Sequence, residues 1–382
     1  MTLDDIVDTA RTMTGGLPTP DIDSWQEGLE MLLHDHVKQN KLSERGWRIM
    51  ARRYSDALAT RMRVDEYMRR NPAVAKMPIE RPVFILGLVR TGTTLTSHLM
   101  GADPGNRSLL RWEAYNVVPP ANPGELKTDP RCFAEKTVDE EILKTNQKGA
   151  AMHFEPADGP TECVHMLAQD FRSMMFTAMC SVPTYADWVL FCDQSTSYAH
   201  RKRVFQILQT TNPGRWVLKM PSDSVFIPWI FKTFPDARVI WTHRDPFAAT
   251  ASSFSMRGHS RTIFQKDMDL PYMQSNFPIQ LGLHCRRPLE LARERGDAMY
   301  NLYYDDLVAD PRGTMRNVYR WLGWEWTEAT EQGMRGWLLA NPQGRLGTHS
   351  YSLAQWGFTR KDLEPYFADY LKVHPVATNK ET

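Results

Sequence analysis

The chain has 382 residues, 42% of them hydrophobic and 24% charged, so it can bury a large core and is not disordered. Its formal net charge is +1, which excludes a nucleic-acid partner or a membrane surface held by bulk charge. Five cysteines, Cys132, Cys163, Cys180, Cys192 and Cys285, form no C-x-x-C pair, which points to neither a disulfide frame nor a zinc site and fits a reducing cytoplasm.

The first 80 residues read as helical. Leu29, Leu32, Leu33 and Val37 recur at helical spacing, as do Trp47, Met50, Tyr54, Leu58 and Met62. Asp23 or Ser24 is the expected cap of the first of these helices. The N-terminus, MTLDDIVDTART, carries acids early and lacks the apolar region of a signal peptide. No apolar run reaches the roughly 18 residues of a membrane span.

The texture changes after Pro82. Four short apolar runs read as buried strands: 83–86, 216–218, 238–242 and 299–304. Each leads into a turn and a helical pattern. Strands alternating with helices imply βαβ units, hence an α/β fold with a central parallel sheet flanked by helices. The division expected is a helical N-terminal extension over 1–80, packed on an α/β domain over 81–382. Residues 119–130, PPANPGELKTDP, read as a loop or the start of an insertion. The segment from about 120 to 200 is rich in Phe, Met and Trp and is expected to pack helices over the sheet, with part of it walling a pocket. Its Met152, Phe154, Phe171, Met174, Met175, Phe176, Trp188 and Phe191 are either core or lining. A last short helix is expected over 361–372.

The stretch "GLVRTGTT", Gly87 to Thr94, follows the first strand with the G-x-x-x-x-G spacing of a phosphate loop. An ATP loop needs Lys after the second glycine to reach the outer phosphates, and Thr93 stands there. A cation lies inside the loop instead, at Arg90. Backbone N–H groups, the hydroxyls of Thr91, Thr93 and Thr94, and one guanidinium suit a nucleotide whose 5′-phosphate carries a sulfuryl group. Further on, "WTHRDPFAATASSF" places Arg244 at the end of a strand and Ser252 two turns into the next helix. That pair suits a second phosphate, such as one on a ribose 3′-oxygen. The alternative for Arg-Asp-Pro is a helix cap with a local ion pair.

Together the two stretches resemble the nucleotide-binding motifs of sulfotransferases that use PAPS, 3′-phosphoadenosine-5′-phosphosulfate. The likeness continues through "LLRWEAYNVVPP", "DGPTECVHML", "YYDDLVADP" and "HSYSLAQWGF" and covers about 15–370. It points to a bacterial branch with a helical N-terminal extension and a P-loop-like sheet. The resemblance implies that Arg90, Thr91, Gly92, Thr93 and Thr94 hold the 5′-phosphosulfate, and that Arg244 and Ser252 hold the 3′-phosphate. It implies that Tyr304 lies near the adenine and that a late loop, with His349 and Tyr351, closes on the nucleotide. Val89 departs from the proline usual before the loop's cation.

The implied reaction is sulfuryl transfer from PAPS to a hydroxyl, in line and without metal. Arg90 is then the cation at the leaving oxygen. The general base stays open: Glu113 first, with a structural pairing to Arg111 or Arg107 as its alternative, Glu162 next, then His165. Relatives often carry His where Asp223 stands, so Asp223 replaces it as a carboxylate or the role has moved. Lys219 is expected near the ligand edge of the sheet, holding the site together. The implied acceptor is a fairly apolar alcohol or phenol, a small molecule or a lipid, and a homo-oligomer stays open. Competing readings are an ATP-dependent small-molecule kinase and a non-catalytic nucleotide-binding protein.

Overall fold

The computed structural model of the protein describes residues 1–152, 154–342 and 351–377. Five strands form one parallel sheet: β1 Val83–Gly87, β2 Asn106–Arg107, β3 Arg215–Lys219, β4 Arg238–His243 and β5 Met299–Tyr303. Their order is β2-β3-β1-β4-β5. All of β1 is buried, as a strand covered by helices on both faces must be, and this is why it reads as an unbroken apolar run. Its neighbours are β3, with Val83 beside Val217, and β4, with Gly87 beside Thr242. Chain order reverses at β1, because β3 lies on one side of it and β4 on the other. Open α/β sheets bind ligands outside the carboxyl ends of strands at such a point.

The four expected strands are present, each within a residue or two of the expected bounds. The two-residue β2 carries no apolar run and gave no signal. The 299–304 run ends one residue early, since Tyr304 opens the helix Tyr304–Ala309. The expected 361–372 helix spans Arg360–Val373.

Helices Leu3–Met13, Ser24–Gln39 and Glu44–Arg70 precede the sheet. Their apolar faces do not form a separate core. Leu29, Met50, Tyr54 and Leu58 are fully buried in the same cluster as Phe84, Phe171 and Phe254. Polar joints accompany this packing. Asp170 is fully buried and is bonded by Arg61 and Ser24 from the first helices and by Thr196 and Ser197 from the core. Ser24 therefore gives its hydroxyl to Asp170, and Asp23 occupies the cap position without a side-chain cap bond. Val37 departs from its expected apolar face and is exposed.

The 120–200 region holds helices Pro130–Thr145, Gln147–Met152, Val164–Ala168, Met175–Met179 and Pro183–Phe191, with Ser195–Leu208 leading back to β3. Its large side chains divide by position. Phe171 and Phe176 are core, Phe191 is exposed, and Met152, Met174 and Met175 line a cavity.

Candidate active site

The turn after β1 is held open by two glycines. At Gly87 the backbone has φ +148°, and a Cβ would strike Thr242 Oγ1 at 2.4 Å, so β1 and β4 could not approach as they do. Gly92 has φ +94°, caps the helix Thr93–Gly101, and packs where a Cβ would meet the Tyr304 ring at 3.0 Å. That helix has no acid in its first turn, so its positive end is not neutralised from within. Arg90 itself takes φ +69°, a conformation costly for a side chain of its kind.

A cavity of about 180 Å³ opens at this turn, lined by Arg90, Gly92, Thr93, Thr94, Arg244 and Tyr304. Arg90 Nε donates to Ser252 Oγ at 3.1 Å, and its terminal nitrogen donates to the Met152 carbonyl at 3.0 Å. Arg244 donates to the Arg90 carbonyl at 2.9 Å, and its guanidinium lies 4.3 Å from the centre of the Tyr304 ring. Among the described residues, no carboxylate forms an ion pair with either arginine. Burial lowers the Arg90 pKa. Tyr351 and Tyr304 oppose that shift, while Arg244 adds to it. Two guanidiniums facing neutral partners, beside a helix N-terminus, make a site that calls for anions.

Of the residues expected to hold the nucleotide, Arg90, Gly92, Thr93, Thr94, Arg244 and Tyr304 line this cavity and Ser252 bonds to Arg90, whereas Thr91 needs a correction. Thr91 is fully buried, and its hydroxyl donates to the Leu88 carbonyl at 2.6 Å and meets Thr242 Oγ1 at 2.5 Å. It ties the turn to β4 and offers no hydroxyl to the cavity. The cap reading of Arg-Asp-Pro holds for Asp245, whose Oδ1 accepts from the Phe247 N–H at 2.9 Å, and leaves Arg244 to the cavity. His349 lies outside the described residues.

A second cavity of about 360 Å³ adjoins the first. Its wall is mainly apolar, with Met152, Met174, Met175, Met179, Ile142 and Ile263 around Ala178. Its polar lining includes Glu155, Glu162 and His165, together with Arg257, His259 and His284. Glu162, Val89, Pro221 and Met256 line both cavities. Glu162 is set there by backbone geometry, because it bridges to Lys219 at the end of β3 and the Cys163 N–H donates to the Lys219 carbonyl at 3.0 Å.

Lys219 Nζ donates to Glu162 Oε1 at 3.0 Å and to Glu155 Oε1 at 2.6 Å. Burial works against its charge, but the two glutamates outweigh burial and hold its pKa above the usual lysine value. His165, desolvated in its wall and 4.9 Å from the Tyr115 ring, has its pKa lowered to about 4 and is neutral near pH 7.

Two carboxylates weighed as bases lie elsewhere. Glu113 is 1% exposed and lines neither cavity. It accepts from Arg107 at 2.5 Å and from the Leu110 N–H at 3.2 Å, so it closes a helix start and pairs a buried arginine. Asp223 is 1% exposed and receives the Tyr198 hydroxyl at 2.5 Å and Arg201 at 3.0 Å. Burial pushes its pKa up and Arg201 draws it back. Both serve the interior. The residue that sequence reasoning missed is Glu155, seven positions before Glu162 across a Pro/Gly-rich turn. The only available signal was the presence of two further acids, Glu155 and Asp158, before Glu162 in "FEPADGPTEC".

A model of the sulfotransferase family matches residues 82–328, from the entry to β1 to the start of the helix Glu328–Ala340. The chain belongs to the sulfotransferase family. The crystal structure of sulfotransferase STF9 from Mycobacterium avium superposes with a TM-score of 0.92 at 36% identity, covering 99% of this chain and 97% of that one. Sulfotransferase STF1 from Mycobacterium tuberculosis H37Rv gives 0.83 at 28% identity, with 97% and 99% covered. The omega-hydroxy-beta-dihydromenaquinone-9 sulfotransferase Stf3 of Mycobacterium bovis is 24% identical over 252 residues. That match takes in 63% of this chain and 62% of the relative's length. Both superpositions extend well beyond 82–328 and take in most of the N-terminal helical segment.

Proposed function

We propose that this sulfotransferase moves the sulfuryl group of PAPS to the hydroxyl of an apolar alcohol or phenol. The observation that carries the reading is the position of Glu162, a carboxylate in the wall common to an anion-binding cavity and an apolar one.

The residues of the first cavity fit the donor. Gly92, Thr93 and Thr94 present backbone N–H groups and hydroxyls to the 5′-phosphosulfate at the helix N-terminus. Arg244 and Ser252 take the 3′-phosphate, and Tyr304 with Tyr351 borders the nucleoside. Arg90 exchanges its neutral partners, Ser252 Oγ and the Met152 carbonyl, for phosphate oxygens. Arg90 then places a permanent positive charge where the leaving oxygen gains its electron pair, which is electrostatic stabilisation of the transition state.

When bound, PAPS supplies the transferable group: the acceptor oxygen bonds to sulfur, the bond from sulfur to the 5′-phosphate breaks, and its electrons stay on the phosphate. Glu162 takes the proton of the acceptor hydroxyl, a role worth about 10²–10⁴-fold. Lys219 keeps Glu162 in place. The methionine-rich wall holds the acceptor's apolar part, and flexible thioethers adapt to its shape. At about 360 Å³ the chamber is within the size range of small-molecule sites. The Mycobacterium bovis relative is named for an omega-hydroxy menaquinone derivative, and the apolar wall here supports an acceptor of related chemistry, a lipid-like alcohol.

The test is transfer from PAPS to 1-decanol and to 2-naphthol, in EDTA, followed by mass spectrometry. Wild type is expected to sulfate at least one, and Glu162→Gln to lose about 10²–10⁴-fold in rate. Absence of transfer to both would overturn the reading, and near-normal turnover by Glu162→Gln would remove Glu162 from its role.

A further inference from the structure

The acceptor chamber has a cation in its wall that the transfer reaction leaves unused. Arg257, on the helix Pro246–Phe264, lines the chamber and is 5% exposed. Its Nη1 donates to Gln280 Oε1 at 3.1 Å, and its guanidinium lies 4.3 Å from the centre of the Phe277 ring. Gln280 Nε2 donates to Asn276, which leaves Oε1 for the arginine. These partners are all neutral. Among the described residues no carboxylate forms an ion pair with Arg257, and the two that line the chamber, Glu155 and Glu162, both accept from Lys219. Burial lowers the Arg257 pKa to about 10, with Arg261 adding to the shift and Tyr272 opposing it, so the charge remains at pH 7. A buried cation without a counter-charge is unfavourable.

The neighbouring Arg261 shows what a structural arginine looks like here. It is fully buried and does not line the chamber. It donates to Ser181 Oγ and to the Thr177 and Cys180 carbonyls, at 2.6, 3.1 and 2.9 Å. Arg257 has one such acceptor. Its Nε and Nη2 have none among the described residues, yet neither is sealed in as the unbonded Arg261 Nε is. Nε and Nη2 form the edge on which an arginine takes a carboxylate in two parallel bonds. Arg131 does so in this chain, with Nε 2.9 Å and Nη2 2.7 Å from the two oxygens of Asp129. His284, in the same chamber wall, meets the Gln280 carbonyl through Nδ1 at 2.9 Å, and burial lowers its pKa to about 4, so it is neutral and adds no rival cation.

We propose that the acceptor is a hydroxy acid, an amphipathic molecule whose hydroxyl lies at Glu162 and whose carboxylate is held by Arg257 through Nε and Nη2. The inference rests on the reading of this chamber as the acceptor site. The carboxylate supplies the counter-charge that the wall does not, and the methionines cover the apolar part between the two ends. Arg257 is then a specificity residue. It touches no reacting atom and selects among alcohols by what they carry besides the hydroxyl. Such a contact discriminates more strongly than an apolar wall, because an alcohol without the acid leaves a buried charge unpaired.

The experiment is calorimetric titration of wild type, Arg257→Gln and Arg257→Lys with octanoate and with 1-octanol at pH 7, each without nucleotide and with saturating 3′-phosphoadenosine-5′-phosphate. Wild type is expected to bind octanoate roughly 10- to 100-fold more tightly than 1-octanol. Arg257→Gln should bring that ratio close to one, and Arg257→Lys should keep part of it. A ratio cancels any general loss of packing, which would weaken both ligands alike. Equal affinities in wild type, or an unchanged ratio in Arg257→Gln, would overturn the proposal. Displacement of octanoate by the nucleotide would put the carboxylate at Arg90 and Arg244 in the donor cavity, and would also overturn it. If Arg257→Gln does not fold, the wild-type ratio with and without nucleotide decides. Because this readout needs no turnover, failure to sulfate any alcohol counts against the reaction reading and leaves the carboxylate site to stand or fall on its own titration.

Discussion

The two cavities that meet at Glu162 are built from different material. The donor side is made of strand ends: the turn after β1 gives Arg90 to Thr94, β4 ends next to Arg244, and Tyr304 directly follows β5. Their spacing is fixed by the hydrogen-bonded ladder of the sheet, and the groups presented are cations, hydroxyls and backbone N–H. The acceptor side is made of short helices between residues 142 and 179 and one face of the long helix Pro246–Phe264. Its surface is mainly apolar, with five methionines, and polar side chains such as Arg257 and His259 are held in it by hydrogen bonds. The lesson is a division of labour. A sheet-anchored frame presents fixed charges on one side, and a wall of short helices presents an apolar surface on the other.

Substitutions should therefore damage one side at a time. Among substitutions confined to one side, the largest effect is expected from Arg244→Ala. It removes a charged contact to the 3′-phosphate, worth about 1.5–3 kcal/mol, or roughly 10- to 100-fold in affinity. Calorimetry with 3′-phosphoadenosine-5′-phosphate and with adenosine 5′-phosphate checks this: only the former should weaken, and KM for the alcohol should hold. Equal losses for both nucleotides would move the 3′-phosphate site elsewhere. A smaller effect, about tenfold, is expected from Ala178→Phe, which fills part of the apolar chamber. KM for 1-decanol should rise while nucleotide affinity stays unchanged. Equal damage to both would mean that the two sides are not independent.

The same division governs what the sequence reveals. Strands β1, β3 and β4 are legible because a strand buried on both faces reads as a nearly unbroken apolar run, whereas the edge strand β5 shows only through its buried Met299 and Leu302 among aromatic neighbours. The phosphate turn is legible because its glycines answer to the backbone itself, at Gly87 by a φ of +148° and at Gly92 by the left-handed helix cap. Thr91 misled because a hydroxyl in a phosphate turn is read as a ligand donor, whereas only the tertiary contact with Thr242 shows it turned inward. Glu113 and Asp223 misled for a related reason. Each has a buried arginine partner, Arg107 six residues before Glu113 and Arg201 22 residues before Asp223. A carboxylate that neutralises a buried cation looks, in one dimension, like one that takes a proton. Glu155 was invisible because its meaning depends on Lys219, 64 residues away. Nor does residue type separate Phe171 in the core from Met175 in the chamber wall; only their placement does.

The central claim is that this turn, with Arg90 and Thr93 where an ATP loop has neither, is a seat for a 3′-phosphorylated nucleotide. The most direct measurement is calorimetric titration of the wild-type protein with 3′-phosphoadenosine-5′-phosphate in EDTA, with ATP plus Mg²⁺ as the comparison. The account predicts tight, metal-free binding of the former and little or none of the latter. Binding of ATP with Mg²⁺ and none of the 3′-phosphorylated nucleotide would contradict it.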